Sequence, residues 1–266
     1  MPTISIRGNE MPASPIRKLA PLADAAKQRG VHVFHLNIGQ PDLPTPQVAI
    51  DAIRNIDRKV LEYSPSAGYR SYREKLVGYY AKFNINLTAD DIIITSGGSE
   101  AVLFSFLSCL NPGDEIIVPE PAYANYMAFA ISAGAKIRTI ATTIEEGFSL
   151  PKVEKFEELI NERTKAILIC NPNNPTGYTD FNTESVNNFL RFLNSCKITL
   201  FLDEAYAESV KIEDRELPKW RTLSRYIMNN IYAQTRIKAI SSLSTTKNLA
   251  ATGERLGAVA VTPQAA

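Results

Sequence analysis

The stretch SSLSTTKNLAATGERLG, residues 241 to 257, sets a single lysine, Lys247, among small and hydroxylated residues, with Ser244 three positions before it, Gly253 six after and Arg255 eight after. A lysine that condenses with a carbonyl must arrive as a neutral amine, and burial beside other cations favours that form. An isolated lysine is ordinarily a solvated surface cation, so this one needs company before it implies chemistry. Ser96-Gly97-Gly98-Ser99 sits between an apolar run and an apolar helical pattern. Backbone N–H groups and the positive helix end at such a junction can hold a phosphate, although the same residues also make a tight turn with an N-cap. Asn171-Pro172-Asn173-Asn174-Pro175-Thr176-Gly177 follows the run KAILIC. It reads either as a plain Pro/Asn/Gly turn or as polar residues at the carboxyl end of a strand, where α/β folds place ligands. Asp203 closes the run ITLFLDEA, three residues before Tyr206. A carboxylate there is too costly to desolvate alone, so it should meet a cation or a metal, or else cap a following helix.

These polar groups can act together only if the elements carrying them end side by side. Helical and strand patterns alternate along the chain, without internal repeats or low-complexity tracts, which predicts an α/β fold. A helix is expected to start near Thr45 and another to run from Tyr69 to Phe83. DIIITSGGSEAVLFSFLSCL reads as strand, glycine turn and helix; DEIIVPEP reads as a strand, followed by a helix around Tyr126 to Ala133. KAILIC and ITLFLDEA are short, wholly apolar runs of the kind found in parallel strands covered on both faces. The charges of LPKVEKFEELINERT recur at helical spacing and predict a solvated helix face. Residues 1–45, rich in proline and irregular, read as an arm, and residues 46–266 as the main domain.

Composition excludes several functions. With 45% apolar residues, a 266-residue chain can bury a large core. Its 29 basic and 28 acidic side chains give a formal charge of +1, too little to gather nucleic acid or anionic lipid. Cys109, Cys170 and Cys196 are scattered and odd in number, which argues against a disulfide framework and a zinc site and suits a reducing cytoplasm. His32 and His35 read as structural. No apolar run reaches membrane-spanning length, and the first residues lack the core of a signal peptide.

In their order, GGSEA, PxY, NPNNPTG, DEAY and SxxKxxxxxGxRxG resemble the fold-type I pyridoxal phosphate enzymes, specifically the class I/II aminotransferases, from about Asn37 to Val261. The resemblance implies a three-layer α/β/α domain with a mainly parallel central sheet. It implies that Lys247 forms the Schiff base with pyridoxal phosphate, with Ser244 and Arg255 as phosphate ligands and Gly98 and Ser99 adding contacts from a helix N-terminus. Asp203 matches the carboxylate that pairs with the ring nitrogen, Tyr206 and Asn174 the pair on the ring oxygen, and Tyr123 the aromatic that stacks on the ring. Tyr63 matches a tyrosine given across a homodimer interface to the neighbouring phosphate, and Gly39 a backbone contact to substrate.

The implied reaction moves an amino group from an amino acid to a 2-oxo acid; β-elimination, decarboxylation, ring closure or a non-catalytic cofactor-binding module are the alternatives. Thr246 stands where the family usually has serine, and the interval from Asp203 to Lys247 is longer than typical. The family continues past the point corresponding to Ala266 into a small C-terminal domain, which normally supplies the arginine for the substrate α-carboxylate. No arginine here is expected to take that role.

Overall fold

The computed structural model describes residues 3–14, 16–37, 39, 43–179, 183–208, 225–228, 239–244, 247 and 255–262. Seven strands among them form one sheet: β1 (Ile92–Thr95), β2 (Glu115–Glu120), β3 (Lys136–Ala141), β4 (Thr164–Cys170), β5 (Thr199–Asp203), β6 (Ala239–Leu243) and β7 (Gly257–Val261). Their order across the sheet is β1-β7-β6-β5-β4-β2-β3. The ladders from β3 through β2, β4 and β5 to β6 are parallel. β7 runs against both of its neighbours, so the sheet is mainly parallel with one reversed strand.

The apolar runs are buried on both faces because alternate residues enter different cores. Ile167, Ile169, Leu200 and Leu202 point into one core, with Tyr80, Phe156 and Phe189. Leu168, Phe201 and Ile240 point into the other, with Phe106 and Tyr126. Helices α4 (Arg70–Ala81), α7 (Val153–Glu157) and α8 (Thr183–Ser195) cover the first face, and α5 (Gly98–Cys109) and α6 (Asn125–Ala133) the second. Three layers result.

Most of the expected helices are present with shifted ends. α3 (Gln47–Arg54) begins after Pro46, and α6 stops at Gly134, whose φ of 75° is the left-handed geometry that ends helices. The helix expected across LPKVEKFEELINERT is only the five residues of α7. Asn161 explains why: its backbone N–H donates to Thr164 Oγ1 and its Oδ1 accepts from the Arg163 N–H, which turns the chain into β4 instead of prolonging the helix. Within residues 3–45, α1 (Ile6–Glu10) and α2 (Ala20–Gln28) have no buried residue, and this segment lies outside both cores. None of the described helices is long and apolar enough to cross a membrane.

Candidate active site

The carboxyl ends of β4, β5 and β6 meet the amino end of α5 around one cavity of about 570 Å³. Pairing registers bring the ends level, since Asp203 lies beside Cys170 of β4 on one side and Ser242 of β6 on the other. Gly98, Ser99, Ser244 and Arg255 line the cavity, as do Asn174, Asp203 and Tyr206. Tyr123, Gly39 and Lys247 complete the set that the sequence singled out. Tyr63 does not join it: its side chain is fully exposed, away from the cavity. Thr246 and Gly253 lie outside the described residues.

The Asp203 carboxylate is buried and held at both oxygens. The Tyr126 hydroxyl donates to Oδ2 at 2.6 Å, and the Ala205 N–H donates to Oδ1 at 2.9 Å. Burial raises its pKa above the ordinary carboxylate value, and these two hydrogen bonds oppose the rise. Among the described residues no cation lies within ion-pairing distance of it, and residues 205–208 form a turn. A fixed carboxylate therefore faces the cavity, ready for a cation that enters it.

Lys247 Nζ donates to the carbonyl oxygen of Gly39 and lies 5.5 Å from the centre of the Tyr206 ring. Its amine is pushed below the ordinary lysine value, first by desolvation and then by the charge of Arg255. Tyr206, half-buried, is pushed up by burial and by its neighbours Cys170, Tyr123 and Asp203. Tyr123 meets Tyr126 edge-on at 5.4 Å and accepts a hydrogen bond from Asn125 Nδ2 at 2.7 Å, which fixes its ring at the cavity wall.

The glycine turn is shaped by close approach. A Cβ on Gly97, at φ 81°, would stand 2.8 Å from an Arg255 guanidinium nitrogen, and one on Gly98 would stand 3.2 Å from Ser244 Cβ. Arg255 itself has φ 54°, a left-handed conformation that costs a non-glycine residue about 1–3 kcal/mol and is typical of functional sites.

A family model of class I and II aminotransferases matches residues 31–266. The chain belongs to that family. The aspartate aminotransferase of Thermotoga maritima is 30% identical over 215 residues, 79% of this chain and 56% of the relative. The putative aminotransferase YugH of Bacillus subtilis is 35% identical over 198 residues, 73% of this chain and 50% of the relative. Among solved structures, the Thermotoga maritima aspartate aminotransferase matches with a TM-score of 0.84 at 28% identity, covering 98% of this chain and 66% of that one. The alanine aminotransferase of Pyrococcus furiosus matches with 0.83 at 28% identity, covering 97% and 63%. The chain thus spans about half the length of these two curated relatives, and its three layers are those of the fold-type I aminotransferases.

Within this aminotransferase fold, sequence reasoning missed several contributors. Tyr126 was legible only as a helix residue, because the partner it reaches, Asp203, is distant in the chain. Arg17 and Asn37 line the cavity from a segment read merely as an arm. Gly257 carries no site role that the sequence shows, yet a Cβ there would lie 2.4 Å from the carbonyl carbon of Gly97. Gly257→Ala is expected to force β7 away from the glycine turn at a cost of about 1–3 kcal/mol, as overpacking generally does. Gly78→Ala, mid-helix with nothing within 4 Å of its Cβ, should instead stabilise by about 0.5–1 kcal/mol. Thermal melts of the two variants check the opposite signs; a Gly257→Ala melting point equal to that of the parent would show that the turn is not packed this tightly.

Proposed function

We propose that the protein carrying this chain is a pyridoxal phosphate-dependent aminotransferase, moving an amino group between an amino acid and a 2-oxo acid. The observation that carries this reading is that Lys247 and the buried carboxylate of Asp203, which has no cation partner among the described residues, line one cavity. The donor set suits the cofactor. Gly98 and Ser99 at the start of α5, Ser244 and the Arg255 fork offer N–H, hydroxyl and guanidinium donors to a phosphate. Glycines stand where a side chain would crowd that space. Asp203 would hold the protonated ring nitrogen, while Tyr206 and Asn174 would bind the ring oxygen and Tyr123 would pack on the ring face.

When bound, pyridoxal phosphate supplies an electron sink for a carbanion at the substrate α-carbon. Lys247 would be the residue that links to it and, when its amine is free, the base whose Nζ would move a proton between the substrate α-carbon and the cofactor's C4′. The Tyr126 hydroxyl and the Ala205 N–H keep the Asp203 carboxylate aimed, so no reorganisation is needed during the reaction. Residues 46–266 then belong to the cofactor-binding domain and residues 1–45 to an arm. The exposed Tyr63 suits a homodimer in which it reaches the partner's phosphate.

An amino-donor screen tests the reaction. Stoichiometric formation of a 2-oxo acid without ammonia, followed by return of the amino group to a second oxo acid, is expected. Release of ammonia or carbon dioxide would move the protein to another reaction class.

A further inference from the structure

We propose that Glu204 is a positioning residue that sets the spacing between the ring-nitrogen and phosphate ends of the cofactor site, from the face of the sheet opposite the cavity. This rests on the aminotransferase reading and adds to it a residue that does not line the cavity. Asp203 and Glu204 are consecutive, and side chains that alternate along an extended chain leave it on opposite faces. Asp203 lines the cavity beside Tyr126. Glu204 turns into the other core, where it is 0% exposed and accepts from Ser241 Oγ at 2.9 Å; that Oγ also lies 3.5 Å from the Tyr80 hydroxyl. The second carboxyl oxygen of Glu204, Oε1, has no donor among the described residues.

A carboxyl in this state does not serve stability. A buried oxygen without a donor is a cost, and an apolar side chain of similar volume in its place would be neutral or stabilising. Burial raises the pKa of Glu204, with Arg225 and the Ser241 hydrogen bond opposing the rise. Groups that break a local rule in this way are expected where function requires them.

Glu204 holds the junction of β5 and β6. The ladder pairs Leu202 with Ser241 and Asp203 with Ser242, and the Glu204 N–H extends it by donating to the Ser242 carbonyl at 2.9 Å. The Glu204 side chain reaches back to Ser241, so one residue grips β6 at two successive positions. β6 has buried serines at Ser241 and Ser242, which leaves less apolar packing to fix it. Ser244 follows β6 and lines the cavity; a Cβ on Gly98 would stand 3.2 Å from Ser244 Cβ, so the start of α5 follows β6 as well. Arg255 packs on the same turn at Gly97. The donors assigned to the phosphate therefore move with β6, whereas Asp203, assigned to the ring nitrogen, belongs to β5. A rigid ligand gripped at both ends requires that spacing to hold within about 0.5 Å.

The test compares pyridoxamine phosphate, which spans both ends of the site and cannot link to Lys247, with inorganic phosphate, which occupies one end. Both are titrated calorimetrically into the cofactor-free protein in a buffer without phosphate. Glu204→Leu is expected to weaken pyridoxamine phosphate about threefold to tenfold, to leave inorganic phosphate within about twofold of the parent, and to leave the melting point equal or higher. Glu204→Gln, which keeps an acceptor for Ser241, should bind both ligands as the parent does. Ser241→Ala should reproduce the ligand pattern of Glu204→Leu, and the double variant should bind no more weakly than the weaker single one. Equal losses for both ligands together with a lowered melting point would make Glu204 a residue of the fold only. Unchanged pyridoxamine phosphate binding in Glu204→Leu and in Ser241→Ala would overturn the spacing role while leaving the cofactor reading standing. A parent protein that binds pyridoxamine phosphate no better than inorganic phosphate would instead sink the aminotransferase reading, and this proposal with it.

Discussion

Lys247→Ala is expected to lower turnover at least about 10⁴-fold, because it removes in one step the linking amine and the base, and proton transfer alone contributes roughly 10²–10⁴. Borohydride treatment of the parent with pyridoxal phosphate should fix the cofactor on Lys247, and peptide mapping should find the label nowhere else. The variant should still retain cofactor by its phosphate, now removable by dialysis. The pH dependence has a definite sign. Desolvation and Arg255 lower the basicity of Lys247, so the neutral amine is present at pH values where an ordinary lysine, near 10.5, is almost wholly charged. The rate of cofactor linkage should therefore rise with pH, with a midpoint below 10.5, and Arg255→Met should move that midpoint upward. A lysine of depressed pKa contributes stability only above its unfolded value and is a cost below it, so at pH 7 Lys247→Met should not destabilise the fold. Label on a different lysine, or a midpoint unmoved by Arg255→Met, would remove the central role given to Lys247.

How much of this was legible in the sequence depends on the range of the interactions involved. β4 and β5 were readable because a strand buried on both faces must be apolar throughout, and KAILIC and ITLFL have no other use for their composition. The site residues were readable because polar groups at the ends of such runs stand out against them. β6 was not, since AISSL carries two buried serines, and Ser241 donates to the buried Glu204 at 2.9 Å. Its burial is bought by a partner 37 positions away that no local pattern shows. The reversal of β7 was equally hidden, because strand direction depends on the path of the chain between strands. α8 is a different omission: Val186, Phe189, Leu190 and Leu193 recur at helical spacing and were there to be read. Arg17 was invisible for a physical reason, as a cation in an irregular arm has no local feature that separates it from a solvated one.

Asp203→Asn is expected to slow the half-reaction by about 10²–10³-fold, the usual scale for removing one preorganised electrostatic partner of developing charge. Its effect on stability should have the opposite character. Burial raises the pKa of Asp203, and an acid with a raised folded pKa contributes stability that is full below its unfolded pKa and lost as pH rises through the folded value. Without cofactor, the parent should therefore lose stability as pH climbs through that window, and Asp203→Asn should lose less. Glu204 is also buried and raised, so the slope of the parent alone mixes the two; the difference between parent and variant isolates Asp203. With cofactor, a cationic ring nitrogen would favour the charged carboxylate, so the parent should gain more from the cofactor than the variant does. Tyr126→Phe separates aim from charge. It leaves the carboxylate but removes the 2.6 Å donor, a loss of about 1–3 kcal/mol for a buried acceptor. If Tyr126 acts by holding Asp203, the double variant should be no slower than Asp203→Asn alone, since a neutral amide no longer needs the aim that the phenol provides. Additive losses would mean that Tyr126 serves the site independently, and a normal half-reaction rate in Asp203→Asn would reduce Asp203 to the residue that shapes the turn at Ala205.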